Sequence, residues 1–190
     1  EQTYDGVRVE YKADKFSVDY SLIHNINGIT SSDTKGDFHL ANAKYNINKS
    51  HKISGFAYLL DYAAFDQAKN SSSTFGALYK GKFGKFAVNA SLASQSDNGN
   101  NLTSYSAMYI NAEAAYNFGP VTVLGGYELL GSDDGVVAFN TPLATKHKFN
   151  GWADTFLATP KEGLQDVYLT AKVKYLALNG RQHTMTTLQT

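Results

Sequence analysis

Charged side chains recur at every second position of short apolar runs, and they carry the clearest chemistry in this chain. Successive side chains of an extended strand point to opposite faces, so charges at this spacing would share one face. On a water-lined face, charges of one sign select ions, and mixed signs give weak selectivity or a transverse field. The competing interpretation is that the charges pair across adjacent strands and satisfy one another. Six basic and six acidic residues have this placement: Arg8, Lys12, Lys44, Lys80, Lys172 and Lys174 against Glu10, Asp19, Asp61, Glu113, Glu128 and Asp166.

Catalytic and metal-binding patterns are weak by comparison. The chain has no cysteine, which excludes thiolate catalysis, disulfides and thiolate metal sites. The five histidines lack the close spacing of a metalloprotease motif. Asp133, Asp134 and Gly135 could touch calcium through oxygen atoms, but an acidic pair before glycine is also a common turn. The sequence therefore predicts no enzyme activity, no metal site and no cofactor.

The composition narrows the class of protein further. Lys plus Arg and Asp plus Glu number 17 each, and this zero net charge argues against nucleic-acid binding. The chain is rich in aromatic residues, with 13 Tyr and 11 Phe, yet its mean hydropathy is negative. No stretch approaches the roughly 20 apolar residues that a membrane-spanning helix needs. The first residues lack a signal-peptide pattern, so we expect either a processed chain or a fragment.

Nine segments alternate apolar and polar residues with a period of two, which is the pattern of a strand with one apolar face. Each is about 9–12 residues long, which exceeds the usual strand of soluble sheets and matches a tilted strand that crosses a bilayer. A tenth segment, in 184–190, is weak. Short connections alternate with long ones, as in up-and-down antiparallel strands with tight turns at one end.

These features predict an all-β fold, namely an antiparallel up-and-down transmembrane β-barrel, or part of one, with about 9–10 strands. We predict a single barrel domain over residues 1–190, with strands within 4–130 and 164–177. A long inserted loop would cover 131–163, and an atypical tail would cover 178–190.

The apolar side of each strand is predicted to face lipid, and the opposite side a lumen. This places Tyr58, Val88, Ile110 and Val173 outside, and it sends Asp61 to the lumen. Aromatic residues near the strand ends suit the lipid headgroup zone, because their rings have an apolar body and a polar tip. The alternative is a soluble lipocalin-like carrier, in which the same apolar side chains would form a sealed interior.

One stretch, residues 139–168, is more specific: it reads FNTPLATKHKFNGWADTFLATPKEGLQDVY. It resembles the alginate-export-type family of outer-membrane porins, which carries a similar FxTPLATxHxFNGWADxFLxTPxxGLxDxY segment. The opening YDGVRVEYK and the shorter stretches FAYLLD, LASQS and YELLG are also similar to that family. The resemblance runs from residue 4 to about residue 175. Barrels of the family are about twice this length, which implies further strands before and after this chain.

The loop 131–163 is long, contains aromatic residues and has few charges. Loops of this length without regular structure are usually functional or disordered, and the apolar content argues against disorder. With the resemblance, this predicts a constriction that folds into the lumen. The alternative is a cap that packs on the barrel rim. The residues we expect near the solute path are Lys146, His147, Lys148, Trp152 and Asp154.

Together these observations predict a porin-like channel in a bacterial outer membrane, for passive diffusion or export of small polar or anionic solutes, saccharides included. The family's name implies an anionic polysaccharide, whereas the balanced charges predict no strongly basic lumen. The expected partners are the lipid bilayer and the solutes, with no nucleic acid and with homo-oligomerisation left open. The alternatives are a small closed outer-membrane barrel with a structural or adhesive role, and the soluble carrier.

Overall fold

A computed structural model describes residues 3–28, 33–142, 158–176 and 182–187. Most of these residues lie in antiparallel strands, and a short 3₁₀ helix spans Phe65–Asn70. None of the described residues belongs to a helix long and apolar enough to cross a membrane. The strands are β1 Thr3–Lys12, β2 Phe16–Asn27, β3 Asp33–Asn46, β4 His51–Tyr62, β5 Ser72–Phe83, β6 Phe86–Asp97, β7 Ser106–Asn117, β8 Val121–Leu130, β9 Ser132–Asp133, β10 Val137–Ala138, β11 Leu164–Leu176 and β12 Gln182–Thr187.

Ten of the strands form one sheet in the order β1-β2-β3-β4-β5-β6-β7-β8-β11-β12, and β9 and β10 form a separate two-stranded hairpin. Every pairing in the large sheet is antiparallel between neighbours along this order. The predicted all-β up-and-down architecture is therefore confirmed, and the weak tenth segment corresponds to β12. Among the described residues, β1 and β12 each pair along one edge.

The connections alternate in length as the sequence predicts. The turns that follow β1, β3, β5 and β7 are short and lie at one end of the sheet. Two of them use glycine at positive φ, Gly84 at 61° and Gly119 at 104°, where a side chain would be strained. The connections at the opposite end are longer and include the 3₁₀ helix and the β9–β10 hairpin.

Buried apolar side chains gather near the long-loop end rather than along the whole sheet. One cluster consists of Ile26, Phe38, Leu60 and Tyr62, in which the Phe38 and Tyr62 rings meet edge to face with centroids 4.9 Å apart. A second cluster joins strand residues to the loops, and its fully packed members are Ala93, Tyr105, Ala107, Leu130 and Phe139.

Asparagine side chains tie the two long loops together beside these clusters. Asn100 donates from Nδ2 to the carbonyl oxygen of Tyr62 at 2.9 Å, and Asn101 donates to the carbonyl oxygen of Ser71 at 2.9 Å. The buried hydroxyl of Ser71 donates in turn to Oδ1 of Asn100 at 3.1 Å. Because buried backbone oxygens need a donor, these asparagines satisfy the loop backbone and hold the loop end as a packed unit.

Candidate functional site

The large sheet curls around a shared hollow. A cavity of about 560 Å³ is lined by side chains from every strand from β1 to β6, together with β7, β8 and the segment after β10. Neighbouring strands lie about 4.8 Å apart, so β1 and β8 of a flat sheet would be separated by roughly 34 Å. Arg8 of β1 and Glu128 of β8 nevertheless line the same cavity. The sheet is therefore strongly curved, and one of its faces is concave.

The strand register shows which residues share the concave face. A row of paired residues crosses strands β2 to β6: Asp19 pairs with Asn42, Asn42 with Phe56, Phe56 with Gly76, and Gly76 with Ala93. Residues paired in this way lie on the same side of the sheet. The row continues through Tyr109 of β7 to Leu130 of β8. The same alternation places the polar side of most strands on the concave face, as the sequence predicts.

Strand β4 is the exception, and here the prediction is wrong. Its aromatic side, with Phe56, Tyr58 and Leu60, lines the cavity on the concave face. Asp61 has the opposite phase and pairs with Asp37, so it does not join the concave row. The reason is that both sides of β4 are apolar, because Ala57 and Leu59 occupy the other side. The alternation therefore assigns the residues of β4 to two faces, but it does not indicate which face is concave.

The convex face carries exposed large apolar side chains. Val7 is 66% exposed and Leu169 is 56% exposed, although they come from strands at opposite ends of the described sheet. Val88, Ile110 and Val173 share this phase, as predicted, whereas Tyr58 does not. Further exposed members of this face are Val9, Tyr11, Phe16, Tyr20, Tyr45, Ile53, Phe75, Phe86, Leu92, Met108, Tyr116 and Val167.

Aromatic residues mark the short-turn end of the convex face. Tyr11, Phe16, Tyr45, Phe86 and Tyr116 all lie next to short turns and are all exposed. The predicted placement of aromatics near strand ends agrees with these positions. Tyr62 also lies at a strand end, but it is buried at the opposite end of the sheet, where it packs on Phe38.

On β1 and β2 the predicted charged residues are paired. Nε of Arg8 donates to Oδ2 of Asp19 at 2.6 Å, and the guanidinium forms a salt bridge with the same carboxylate. Nζ of Lys12 lies 2.8 Å from Oε1 of Glu10. For Arg8 and Asp19 the structure supports the cross-strand pairing interpretation, whereas Lys12 and Glu10 pair within β1. Such exposed pairs contribute little to stability, but they neutralise one another locally.

A wall of carboxylates lies on β7, β8 and β11. Glu113 accepts hydrogen bonds from Nδ2 of Asn89 and from the hydroxyl of Tyr168, both at 2.7 Å. Glu128 accepts a hydrogen bond at 2.6 Å from the hydroxyl of Tyr109. Asp166 pairs with Glu128 in the register and lies on the same side. We call Glu113, Glu128 and Asp166 the acidic wall.

Lysines from β3, β4 and β5 share a cavity with Glu113 of the acidic wall near the short-turn end. They line a second cavity of about 570 Å³ that also contains Glu113 and Asn89. We call the lysines of this cavity on those strands the basic wall: Lys44, Lys52, Lys80 and Lys82. Lys52 and Lys82 were not predicted as lumen residues, although extending the alternation of the strands by a few residues toward the turns would have placed them in phase with Phe56 and Lys80. Lys172 and Lys174 follow the concave alternation of β11, beyond Asp166 and Tyr168.

The larger cavity has an aromatic lining that the sequence did not predict. The rings of Phe56 and Tyr58 stack with centroids 4.9 Å apart and an interplanar angle of 27°. Tyr109 of β7 and Phe139, which follows β10, lie with ring centroids 5.4 Å apart. Phe139 follows the β9–β10 hairpin, which brings it back over the sheet. No local signal in the sequence reports this pairing, because 30 or more positions separate the partners.

The segment after the hairpin is fastened to the concave face by Gln95. Its Nε2 donates to the carbonyl oxygen of Asn140 at 2.8 Å, and its Oε1 accepts from the backbone N–H of Asn140 at 2.8 Å. A third hydrogen bond runs from Nε2 to Oγ1 of Thr74 at 2.9 Å. The predicted constriction residues Lys146, His147, Lys148, Trp152 and Asp154 lie outside the described residues.

Three of the histidines have separate partners. Nδ1 of His39 lies 2.7 Å from the hydroxyl of Tyr20, and Nδ1 of His51 lies 2.7 Å from the hydroxyl of Tyr79. His24 lies 2.9 Å from Oδ1 of Asp37. In the part of the chain that the structure describes, no three acidic or histidine side chains gather in a way that would hold a metal ion.

Comparisons with known proteins identify the fold. No protein-family model matches the chain, and no curated protein matches it. The chain is similar to the crystal structure of Pseudomonas aeruginosa OccK8 (OprE), an outer-membrane porin, with a TM-score of 0.54 and 13% sequence identity. The match covers 97% of this chain and 60% of that protein, so the chain spans less than two thirds of its length. The chain therefore has the fold of a porin barrel or of part of one.

Proposed function

We propose that the chain forms wall strands of a porin-like channel in a bacterial outer membrane, through which small polar solutes diffuse passively. This proposal depends on one observation: the antiparallel sheet is curved, its convex face is apolar and its concave face is charged. A transmembrane barrel needs this arrangement, because lipid surrounds the outside and water fills the inside. The fold shared with OccK8 supports the same conclusion.

The convex face supports the membrane location. Soluble proteins rarely expose continuous apolar patches larger than a few hundred Å². Here, exposed valine, leucine and aromatic side chains continue from β1 to β11. Exposed rings near the short turns, such as those of Tyr11 and Tyr116, suit the headgroup zone at one membrane interface. Residues of this face would contact the bilayer, which is the first partner that we propose.

The two walls support passage of charged and polar solutes rather than catalysis. Opposite charges on facing walls produce a field across the passage, which orients dipolar solutes and gives weak ion selectivity. The basic wall would attract anionic solutes, and the resemblance to alginate-export-type porins suggests saccharides among them. The acidic wall argues against a strong preference for polyanions. We therefore propose small polar or anionic solutes, with no enzyme activity.

We also propose that the loop 131–163 narrows the passage. The support is that Phe139, Asn140 and Pro142 line the larger cavity on the concave face and that Gln95 holds Asn140 there. A loop that begins on the concave face reduces the cross-section for solutes at that level. Deletion of residues 140–158 should then raise the conductance of the channel.

The test is planar-bilayer recording on the full-length protein that contains this chain. We expect stepwise conductance, and a reversal potential in a salt gradient that moves toward anion preference in Glu113→Gln and toward cation preference in Lys80→Gln. Asp66→Asn, on the exposed 3₁₀ helix, removes a charge away from the concave face and serves as the control. Bilayer insertion without conductance would favour the structural barrel. Solubility without detergent would favour the carrier.

A further inference from the structure

We infer that the larger cavity on the concave face is a binding site for a small solute that combines a flat ring with a positively charged amine. For the route by which the solute arrives, this inference rests on the proposed function, because a channel would bring it past the cavity. The binding itself depends only on the cavity.

The cavity has the size and the lining of a small-molecule site. Its volume of about 560 Å³ falls within the roughly 300–1,000 Å³ that ligand pockets span. Leu40, Leu60, Leu130 and Pro142 provide apolar walls between the aromatic residues. A passage that only conducted ions would gain nothing from this surface, because apolar walls at a water-filled site cost hydration and offer no charge.

Two aromatic pairs from different elements line the cavity. Phe56 and Tyr58 stack on β4, while Tyr109 and Phe139 form the pair on β7 and the segment after β10. Aromatic faces carry negative charge density, so they attract both the edges of another ring and a nearby cation. A ligand with a ring and an amine uses both properties.

Three prominent hydrogen-bonding side chains of the cavity, Tyr109, Tyr58 and Gln95, already donate to groups of the protein. The hydroxyl of Tyr109 donates to Glu128 at 2.6 Å, and that of Tyr58 donates to Oδ1 of Asn42 at 2.8 Å. Gln95 donates to Thr74 and to the carbonyl oxygen of Asn140. An ammonium group has three donors and no acceptor, so it can donate to the Glu128 carboxylate of this lining, whereas a carboxylate ligand cannot.

The charges of the cavity point to a cation as well. The Arg8 guanidinium is paired with Asp19, so these two residues cancel within the lining. Glu128 is half-buried beside Tyr109, and among the described residues it has no basic partner within 4.0 Å. A half-buried carboxylate is stabilised by a cation that approaches from the open side of the cavity. The net charge of the lining is therefore negative.

The experiment is calorimetry with the full-length protein in detergent micelles, corrected with empty micelles. The probes are 2-phenylethylamine, 3-phenylpropanoate, ethylamine and 2-phenylethanol, which vary the charge and the ring separately. We expect 2-phenylethylamine to bind at least about tenfold more tightly than 3-phenylpropanoate or ethylamine. Glu128→Gln, which keeps the shape and a partner for Tyr109, should weaken its binding by about tenfold or more and leave 2-phenylethanol unaffected.

A matched pair of variants tests the aromatic contribution. Phe56→Ala should weaken both ring-bearing probes, whereas Phe75→Ala, the same truncation on the convex face of the neighbouring strand, should weaken neither. A second measurement needs no variant: raising the salt concentration should weaken 2-phenylethylamine and spare 2-phenylethanol, since screening acts on the charge alone.

The outcomes separate this inference from the proposed function. Equal affinity for the amine and the carboxylate, or unchanged amine binding in Glu128→Gln, would overturn the inference even if the protein conducts. Binding of the amine by a protein that fails to conduct would support the inference while removing the channel. Conductance that 2-phenylethylamine blocks in the wild type, and blocks less in Glu128→Gln, would support both.

Discussion

Replacing Gln95 with leucine should loosen the segment after β10 without unfolding the sheet. Gln95 is 2% exposed, and its amide pairs with both backbone polar groups of Asn140 in the way that a neighbouring strand would. Leucine has nearly the same volume but offers neither donor nor acceptor. The strand pairs of β6 with β5 and β7 do not involve the side chain, so they remain.

The magnitude follows from two lost hydrogen bonds. Each intramolecular hydrogen bond contributes about 0.5–1.5 kcal/mol net, so the pair at Asn140 contributes roughly 1–3 kcal/mol to holding the segment. Asn140 is half-buried, and water can replace part of the loss. Phe139 remains 5% exposed in its cluster and supplies a further roughly 1.5–3 kcal/mol. The variant should therefore open the segment more often while keeping it attached on average.

The assay is native-state hydrogen exchange at the Asn140 amide, with the protein in micelles. A loss of roughly 1–3 kcal/mol from the local opening free energy accelerates exchange by roughly 5- to 150-fold. Gln165→Leu is the control, because it makes the same chemical change at an exposed position of β11. The double variant Gln95→Leu with Phe139→Ala should exchange faster still, since both anchors are then gone.

Unchanged exchange at Asn140 in Gln95→Leu would contradict this prediction, because it would mean that the two hydrogen bonds do not hold the segment. Faster exchange throughout β5, β6 and β7 would refute it in another way. It would show that the side chain stabilises the sheet itself rather than the segment.

Two further predictions concern a close approach in the sheet and a buried tyrosine. Gly126→Ala places a methyl group into the ring of Tyr168 and should destabilise the protein by about 1–3 kcal/mol, whereas Gly125→Ala meets only an ordinary contact at 3.9 Å and should be neutral within about 1 kcal/mol. Urea unfolding in micelles measures both, and equal stability of the two variants would contradict the predicted clash. Burial raises the pKa of Tyr105 to about 12 from an ordinary value of about 10. The neutral ring therefore contributes fully below about pH 10, and this contribution is lost as the pH rises toward about 12. Tyr105→Phe should remove that loss from alkaline unfolding curves, and an unchanged alkaline profile would contradict the burial effect.

Much of the fold could be predicted from local pattern, because a strand with one apolar face needs a period of two wherever it lies. Adjacent residues such as Val7 and Arg8, or Ala112 and Glu113, combine an apolar and a charged side chain, which indicates the two faces of a strand. Alternating short and long connections then favour antiparallel neighbours, since tight turns join only adjacent antiparallel strands. These local signals were sufficient for the number and order of strands in the large sheet and for the phase of most of them, but not for the β9–β10 hairpin.

The candidate site could be predicted only in part. The sequence placed Arg8, Glu113 and Glu128 on one face, but it did not show that Arg8 is neutralised by Asp19 while Glu128 faces an aromatic cavity. That difference depends on which side chains meet across strands that are distant in sequence. Tyr168 and Glu113, for example, are 55 positions apart and form a 2.7 Å hydrogen bond.

By itself, the sequence determined that this chain builds long antiparallel strands with a charged side and an apolar side, because backbone alternation makes every second residue a neighbour in space. The tertiary structure decided the phase of β4, where both sides are apolar and only the curvature of the sheet selects Phe56 and Tyr58 for the inside. It also decided the aromatic cavity, because Phe139 reaches Tyr109 only after the hairpin folds back and Gln95 captures the backbone that follows.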